Sequence, residues 1–112
     1  MIVYCDGSTN GIYCHAVDEN TFKVNAPPER EYTSNEMEYL AVIYALFLLR
    51  DGDEIRTDSQ LVVYHLNGKY YIKANNLKPL YHIAKQMLKH KKIKLTWIPR
   101  EKNIAGQILE KW

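Results

Sequence analysis

Three carboxylates in this chain stand where they could act together on one substrate. Asp6 follows a short hydrophobic run, Glu38 lies near the beginning of a helical segment, and Asp58 follows a second β-type run. Clustered carboxylates repel each other unless a cation or a proton compensates for their charge. Mg²⁺ prefers oxygen ligands, and two such ions about 3.5–4 Å apart promote hydrolysis of phosphodiesters. The residue types therefore indicate metal-dependent hydrolysis, provided that the fold brings the three side chains together.

A purely structural interpretation of the two aspartates is open at this point. Asp6 precedes Gly7 and Asp58 precedes Ser59, and aspartate in such a place often forms a turn or caps a helix. Spacing alone does not separate a cap from a metal ligand, so the decision depends on the elements around each carboxylate and on longer motifs.

The hydrophobic pattern predicts the elements that would carry these carboxylates. Runs of β-branched and aromatic residues predict strands, and apolar residues at helical spacing predict helices. The predicted strands cover residues 2–5, 12–17, 21–24, 54–57 and 94–98. The predicted helices comprise one capped by Ser34 or Asn35 and closed by Gly52, one over 59–66, one over about 77–88, and one over 103–111.

This order predicts an α/β (mixed α+β) fold, in which helices pack on the faces of a mixed sheet. Crossover connections would make the fourth and fifth strands parallel to the first. Ligand sites in such sheets lie beyond the carboxyl ends of the strands. We therefore expect Asp6 and Asp58 to face each other at that edge, with Glu38 reaching in from the helix.

Length and composition predict one soluble domain over residues 1–112, because 46% hydrophobic and 25% charged residues are ordinary globular usage. The longest apolar stretch, residues 40–49, is too short to span a bilayer and lacks signal-peptide flanks. The expectation is a cytoplasmic protein with no membrane partner. Cys5 and Cys14 lack zinc-site spacing and are expected as half-buried side chains on neighbouring strands.

A net charge of +2 does not by itself indicate a nucleic-acid partner. Lysines do cluster between residues 85 and 94, where they could meet phosphates. A solvated helix end is the favoured interpretation of that cluster, because lysines are stabilised near the C-terminus of a helix.

Four short motifs resemble those of the ribonuclease H family, type 1. They occur in the family's order across the whole chain. The motifs are Tyr4-Cys5-Asp6-Gly7-Ser8, Thr33-Ser34-Asn35-Glu36-Met37-Glu38, Arg56-Thr57-Asp58-Ser59-Gln60 and Trp97-Ile98-Pro99-Arg100-Glu101-Lys102-Asn103. Each motif is weak alone, whereas four in order are specific.

The resemblance implies a ribonuclease H-like fold with a five-stranded mixed sheet in the order 3-2-1-4-5. It implies an endoribonuclease that hydrolyses the RNA strand of RNA–DNA hybrids and leaves a 5′-phosphate and a 3′-hydroxyl. Asp6, Glu38 and Asp58 would be the catalytic residues and would hold two Mg²⁺ or Mn²⁺ ions. The Met-Glu-x-Leu-Ala frame favours Glu38 over Glu36, which is expected as a solvated acid of the first helical turn.

The same resemblance implies the residues that meet the hybrid. Ser34, Asn35 and Gln60 would touch its minor groove, since short polar side chains pair with the 2′-hydroxyls that mark an RNA strand. Sugar or phosphate contacts would come from Asn10 and Thr33. Ser8 and Ser59, within the same motifs, complete the expected substrate-binding set.

One departure from the family concerns its fourth metal ligand, an aspartate early in the last helix. Counted from Asn103, that position holds Gln107, and with a one-residue deletion it holds Gly106. Neither is a carboxylate. Gln107 or Asn103 could offer a neutral oxygen, and Glu101 and Glu110 are further candidates, so weak binding of one ion or a Mn²⁺ preference is open.

Other departures concern the loops. The loop before the last helix has Arg100 and Glu101 where many members keep a histidine. We expect neither a basic handle nor a separate hybrid-binding domain. Affinity is then expected to be modest and salt-dependent, because phosphate contacts dominate it. Two rivals stay open, a module that binds hybrid or duplex RNA without cutting and a nuclease for double-stranded RNA or DNA junctions. The sequence indicates no obligatory protein partner.

Overall fold

A computed structural model describes residues 1–16, 21–24 and 31–111, with residues 21–24 described by their backbone. The strands are β1 (Ile2–Ser8), β2 (Gly11–Ala16), β3 (Thr21–Val24), β4 (Glu54–Thr57) and β5 (Lys94–Trp97). The helices are α1 (Ser34–Leu48), α2 (Gln60–Leu66), α3 (Lys78–His90) and α4 (Ile104–Leu109), and a 3-10 turn covers Arg100–Lys102. Within the described ranges, no helix is long and apolar enough to cross a bilayer.

The five strands form one sheet in the order β3-β2-β1-β4-β5. β1 pairs antiparallel with β2 and parallel with β4, and β5 continues the parallel side. The predicted order and the parallel crossovers are confirmed. Cys5 pairs with Thr57 across the two central strands, so Asp6 and Asp58, the next residues of each segment, emerge side by side at one edge of the sheet.

β1 is longer than its hydrophobic run predicts. The prediction ended the strand at Cys5, but Asp6, Gly7 and Ser8 continue it because β2 supplies a pairing partner for each of them. Asp6 therefore lies within a strand and not at its end. For β2, the predicted last residue, Val17, lies outside the described residues.

Helices cover both faces of the sheet, as predicted. Side chains alternate between the faces along a strand, and Gly7 lies against α1 whereas Asp6 lies against Gly106 of α4. Cys5 and Cys14 face each other below α1, where the Cys14 thiol donates to the Ala41 carbonyl. Both thiols are free and fully buried, with 3.2 Å between the sulfur atoms, so the expectation of half-buried cysteines was wrong.

The beginning of α1 differs from the prediction in its cap. Thr33, and not Ser34 or Asn35, is the N-cap, and it forms a capping box with Glu36. The Thr33 hydroxyl accepts from the Glu36 backbone N–H at 3.1 Å, while the Glu36 carboxylate accepts from the Thr33 N–H at 2.9 Å. This reciprocal pairing folds the acid back over the helix end. Glu36 is only 2% exposed, so its prediction as a solvated acid was wrong.

The end of α1 also comes earlier than expected. The helix ends at Leu48 with Leu49 in an extended conformation. Gly52 has the left-handed φ of 93° that was predicted for it. It lies in the turn between α1 and β4, where Asp53 accepts from the Arg50 backbone N–H. A glycine with positive φ thus serves the turn and does not close the helix.

Candidate active site

Three elements bring the predicted carboxylates together. Asp6 comes from β1, Asp58 directly follows β4, and Glu38 comes from the second turn of α1. One carboxylate oxygen of each residue lies within 4.8 Å of those of the other two. Among the Asp, Glu, His and Cys side chains of the described residues, these three are the ones close enough together to share a metal ion.

Gly7 makes this convergence possible. A β-carbon at position 7 would lie 2.2 Å from the Met37 carbonyl oxygen, so any side chain there would force α1 away from the sheet. With no side chain, the Gly7 N–H donates to Glu38 Oε1 at 2.6 Å. The glycine that follows Asp6 is therefore required by the close approach of the helix that carries Glu38.

Burial and mutual repulsion dominate the electrostatics of the three carboxylates. Burial raises the pKa of Asp6. Burial, a hydrogen bond to Asp6 and repulsion by Asp6 and Asp58 raise the pKa of Glu38 to about 10. At neutral pH Glu38 accordingly keeps a proton that it donates to Asp6. A divalent cation would replace that proton, and the all-oxygen donor set fits the Mg²⁺ and Mn²⁺ class.

Asn103 links the carboxylate site to α4 through its side-chain hydrogen bonds. It is fully buried and caps α4, its Oδ1 accepting from the Ala105 N–H at 3.2 Å. Its Nδ2 donates to the Cys5 carbonyl at 2.9 Å and to Asp58 Oδ2 at 3.2 Å. Asn103 thus joins β1, Asp58 and α4. Its oxygen, which the sequence offered as a neutral ligand, is occupied by the cap.

The carboxylates open into a cavity of about 430 Å³ that most of the predicted substrate-binding residues line. These lining residues are Ser8, Ser34, Asn35, Ser59 and Gln60. The two remaining predicted residues do not line it. Asn10 is exposed in the turn between β1 and β2, and the Thr33 hydroxyl is occupied by the capping box.

The sequence model of the RNase H family matches residues 1–107. The chain belongs to the ribonuclease H family. The fold described above is thus that of a ribonuclease H domain, and the resemblance indicated by the four motifs is confirmed.

Solved structures of ribonucleases H superpose on nearly the whole chain. The N-terminal ribonuclease H domain of rv2228c from Mycobacterium tuberculosis has 23% identity and a TM-score of 0.76, and the match covers 96% of this chain and 93% of that one. Ribonuclease H1 of the halophilic archaeon Halobacterium salinarum has 25% identity and a TM-score of 0.73, and the match covers 96% of this chain and 92% of that one. LC11-RNase H1, solved in complex with an RNA/DNA hybrid, has 25% identity and a TM-score of 0.72, and the match covers 96% of this chain and 91% of that one.

Gly106 of α4 faces the carboxylates of Asp6 and Asp58. A β-carbon at position 106 would lie 3.4 Å from Asp58 Oδ2 and 3.4 Å from Asp6 Oδ2. Gln107, the other position offered by the sequence, is exposed, and its Nε2 donates to the Glu101 carbonyl at 2.7 Å. Of the two alignments, the one with a one-residue deletion is therefore the one that faces the site.

Arg100 is a site residue that the sequence did not identify by role. It lines the same cavity as the carboxylates, and its positive charge lowers the pKa of Asp6 against the larger effect of burial. The sequence placed it in the loop before the last helix but gave no signal that this loop folds over the carboxylates.

Proposed function

We propose that this chain is a metal-dependent endoribonuclease that hydrolyses the RNA strand of RNA–DNA hybrids. The observation that carries the proposal is the convergence of Asp6, Glu38 and Asp58 in one cavity with Asn35 and Gln60. A carboxylate cluster supplies the reacting centre, and the neighbouring amides supply groups that recognise RNA. The complex of LC11-RNase H1 with an RNA/DNA hybrid, over a match of 96% of this chain, supports this substrate class.

Asp6, Glu38 and Asp58 would hold the metal, as two Mg²⁺ or Mn²⁺ ions. Bound ions would supply an activated water and would neutralise the charge that develops on the leaving oxygen. The protein's part is to hold the carboxylates in place. Gly7 admits Glu38, and Asn103 fixes Asp58 through its amide hydrogen bond.

The polar residues of the cavity would select the RNA strand. A 2′-hydroxyl both donates and accepts hydrogen bonds, and its presence is what separates RNA from DNA at a contact. The amides of Asn35 and Gln60 offer both kinds of partner, as do the hydroxyls of Ser8, Ser34 and Ser59. Ser59 also caps α2 by accepting from the Val62 N–H, which fixes its position at the cavity wall.

A second candidate function has one specific observation in its favour. Gly106 faces the carboxylates with no side chain, so the site has three carboxylates where the family pattern has four. A site with too few ligands would bind hybrid and fail to cut it. The chain would then be a binding module for hybrid or duplex RNA.

Cleavage of an end-labelled RNA–DNA hybrid in Mg²⁺ and in Mn²⁺ separates the two functions. Duplex RNA and duplex DNA of the same sequence test the substrate class. Asp58→Asn removes one carboxylate at nearly constant shape. Asp51→Asn is the matched control, because Asp51 is an exposed acid at the opposite edge of the sheet that accepts one hydrogen bond, from the Lys92 N–H.

Cutting of the RNA strand alone, lost in Asp58→Asn and kept in Asp51→Asn, supports the ribonuclease. A gel shift with hybrid and no cutting in either metal supports the binding module. Equal cutting of duplex RNA or DNA contradicts the hybrid as substrate.

A further inference from the structure

Arg100 stands between two cavities at the rim of the site. It lines the cavity of the carboxylates and also a second one of about 290 Å³, which contains Glu101, Gly106, Gln107 and Glu110. In the first cavity it is the one cationic residue among the lining residues that the structure describes. A phosphate that enters this cavity therefore meets the positive charge of Arg100 beside the three carboxylates.

The backbone around Arg100 is fixed to the strand that leads into Asp58. The Ile98 N–H donates to the Thr57 carbonyl at 2.9 Å, which extends the pairing of β5 with β4 beyond their last residues. Pro99 is extended, with φ −66° and ψ 151°, and Arg100 begins the 3-10 turn. The side chain thus starts from an anchored position and not from a free loop.

Glu110 orients the guanidinium. Arg100 Nε and Nη2 both donate to Glu110 Oε1, at 3.2 and 2.6 Å. A guanidinium has five N–H donors in one plane, so two serve Glu110 and the other three, including both on Nη1, are left for another acceptor. The Arg100 side chain is 64% exposed and can be reached by a large ligand.

The chemistry of this arrangement fits a phosphodiester oxygen. An arginine keeps its charge at every pH at which the protein is folded, so it does not serve as a proton shuttle. Its planar fork matches two oxygens of one phosphate, which a lysine cannot do. Glu110 does not remove the proton or the charge of Arg100, but it restricts the orientation of the guanidinium. This restriction reduces the conformational entropy that the side chain loses on binding.

We propose that Arg100 binds a backbone phosphate of the substrate at the rim of the carboxylate cavity and that Glu110 is its positioning residue. This inference rests on the proposed function, because it takes a nucleic-acid strand in the cavity as its starting point. It adds a substrate-binding residue on a loop where the four motifs gave none, and it gives the ion pair with Glu110 a function besides stability.

The test measures binding of a fluorescent RNA–DNA hybrid to the whole chain in EDTA, over a series of salt concentrations. Arg100→Ala is expected to raise Kd about tenfold, since charge-assisted bidentate bonds are strong, and to lower the slope of log K against log salt by about one. Arg100→Lys should keep the slope and recover part of the affinity. Glu110→Gln should weaken binding less than Arg100→Ala does and leave the slope unchanged.

Arg50→Ala is the matched control, since Arg50 is exposed at the opposite edge of the sheet, before β4. It should change the slope by less than Arg100→Ala. An equal change in both variants means a general effect of net charge and overturns the proposal. Hybrid binding that Arg100→Ala leaves unchanged overturns the role of Arg100 alone, whereas a wild-type chain that binds no hybrid overturns the proposed function with it.

Discussion

Gly106 faces Asp58 across the site, and a β-carbon on this glycine would lie 3.4 Å from Oδ2 of the aspartate. That distance is at the short end of ordinary van der Waals contact, so the backbone of α4 has room for a β-carbon there. The helix is anchored at this point by Asn103, whose amide donates to the same oxygen of Asp58. The fold thus brings the backbone of position 106 close to two of the carboxylates, although glycine offers no side chain there.

Gly106→Asp is therefore expected to increase metal-dependent cleavage of hybrid in Mg²⁺ by about tenfold, the lower end of what groups around a metal site contribute. Without metal, the added charge should destabilise the chain by about 1–2 kcal/mol, because it joins buried carboxylates. Cleavage rates and urea unfolding in EDTA measure the two effects. Gly106→Asn is the uncharged control, and equal rates for the two variants would contradict a ligand role.

Glu38→Gln is expected to separate stability from metal binding. In the metal-free protein burial raises the pKa of Glu38 to about 10, so the side chain is already neutral and the amide can replace it. In EDTA, the free energy of unfolding of the variant should lie within about 1 kcal/mol of the wild-type value. It should lose cleavage and most of the rise in Tm that Mg²⁺ gives the wild-type chain, since binding to the folded state stabilises it.

Thermal unfolding with and without Mg²⁺ measures this difference. A variant that is stabilised by Mg²⁺ as much as wild type would show that Glu38 is not a ligand.

Thr33→Ala tests whether Thr33 serves the helix or the substrate. Its hydroxyl accepts from the Glu36 N–H as the N-cap of α1, and loss of such a cap costs about 1 kcal/mol. We expect a lower free energy of unfolding with an unchanged Kd for hybrid, and recovery in Thr33→Ser. Weaker hybrid binding at unchanged stability would instead support the substrate contact that the family resemblance implies.

We expect the buried His65 to make the free energy of unfolding depend on pH below neutrality. The ring is buried in α2, its Nδ1 pairs with the Tyr39 hydroxyl at 2.9 Å, and burial lowers its pKa. The unfolded chain takes up a proton near pH 6.5 while the folded one does not. This contribution is complete above about pH 6.5 and is lost as the pH falls through the lowered pKa of the folded state.

Urea midpoints measured above and below that range should show the loss in wild type and a smaller loss in His65→Asn, whose amide does not titrate. An identical loss in both proteins would assign the acid sensitivity to other groups.

The sequence by itself determined the main elements and which three carboxylates converge. Alternation and helical spacing are local properties, so the strand at Glu54–Thr57 was predicted at its observed bounds. The crossovers predicted the parallel pairing of the fourth and fifth strands, and the family resemblance gave the strand order. The three carboxylates stood at the predicted sheet edge because parallel neighbours share it. The four motifs added the family, and the substrate-binding residues that they imply stay a prediction.

Only the tertiary structure decided which other residues lie beside the carboxylates. Asn103 bonds to Asp58 across 45 positions of the chain, and Gly106, not Gln107, faces the site because α4 packs with that side against β1. Glu36 is buried by its own cap, and Arg100 reaches the carboxylates because β5 continues beside β4 to Ile98. Each outcome depends on how distant segments pack, and no local periodicity in the sequence specifies such contacts.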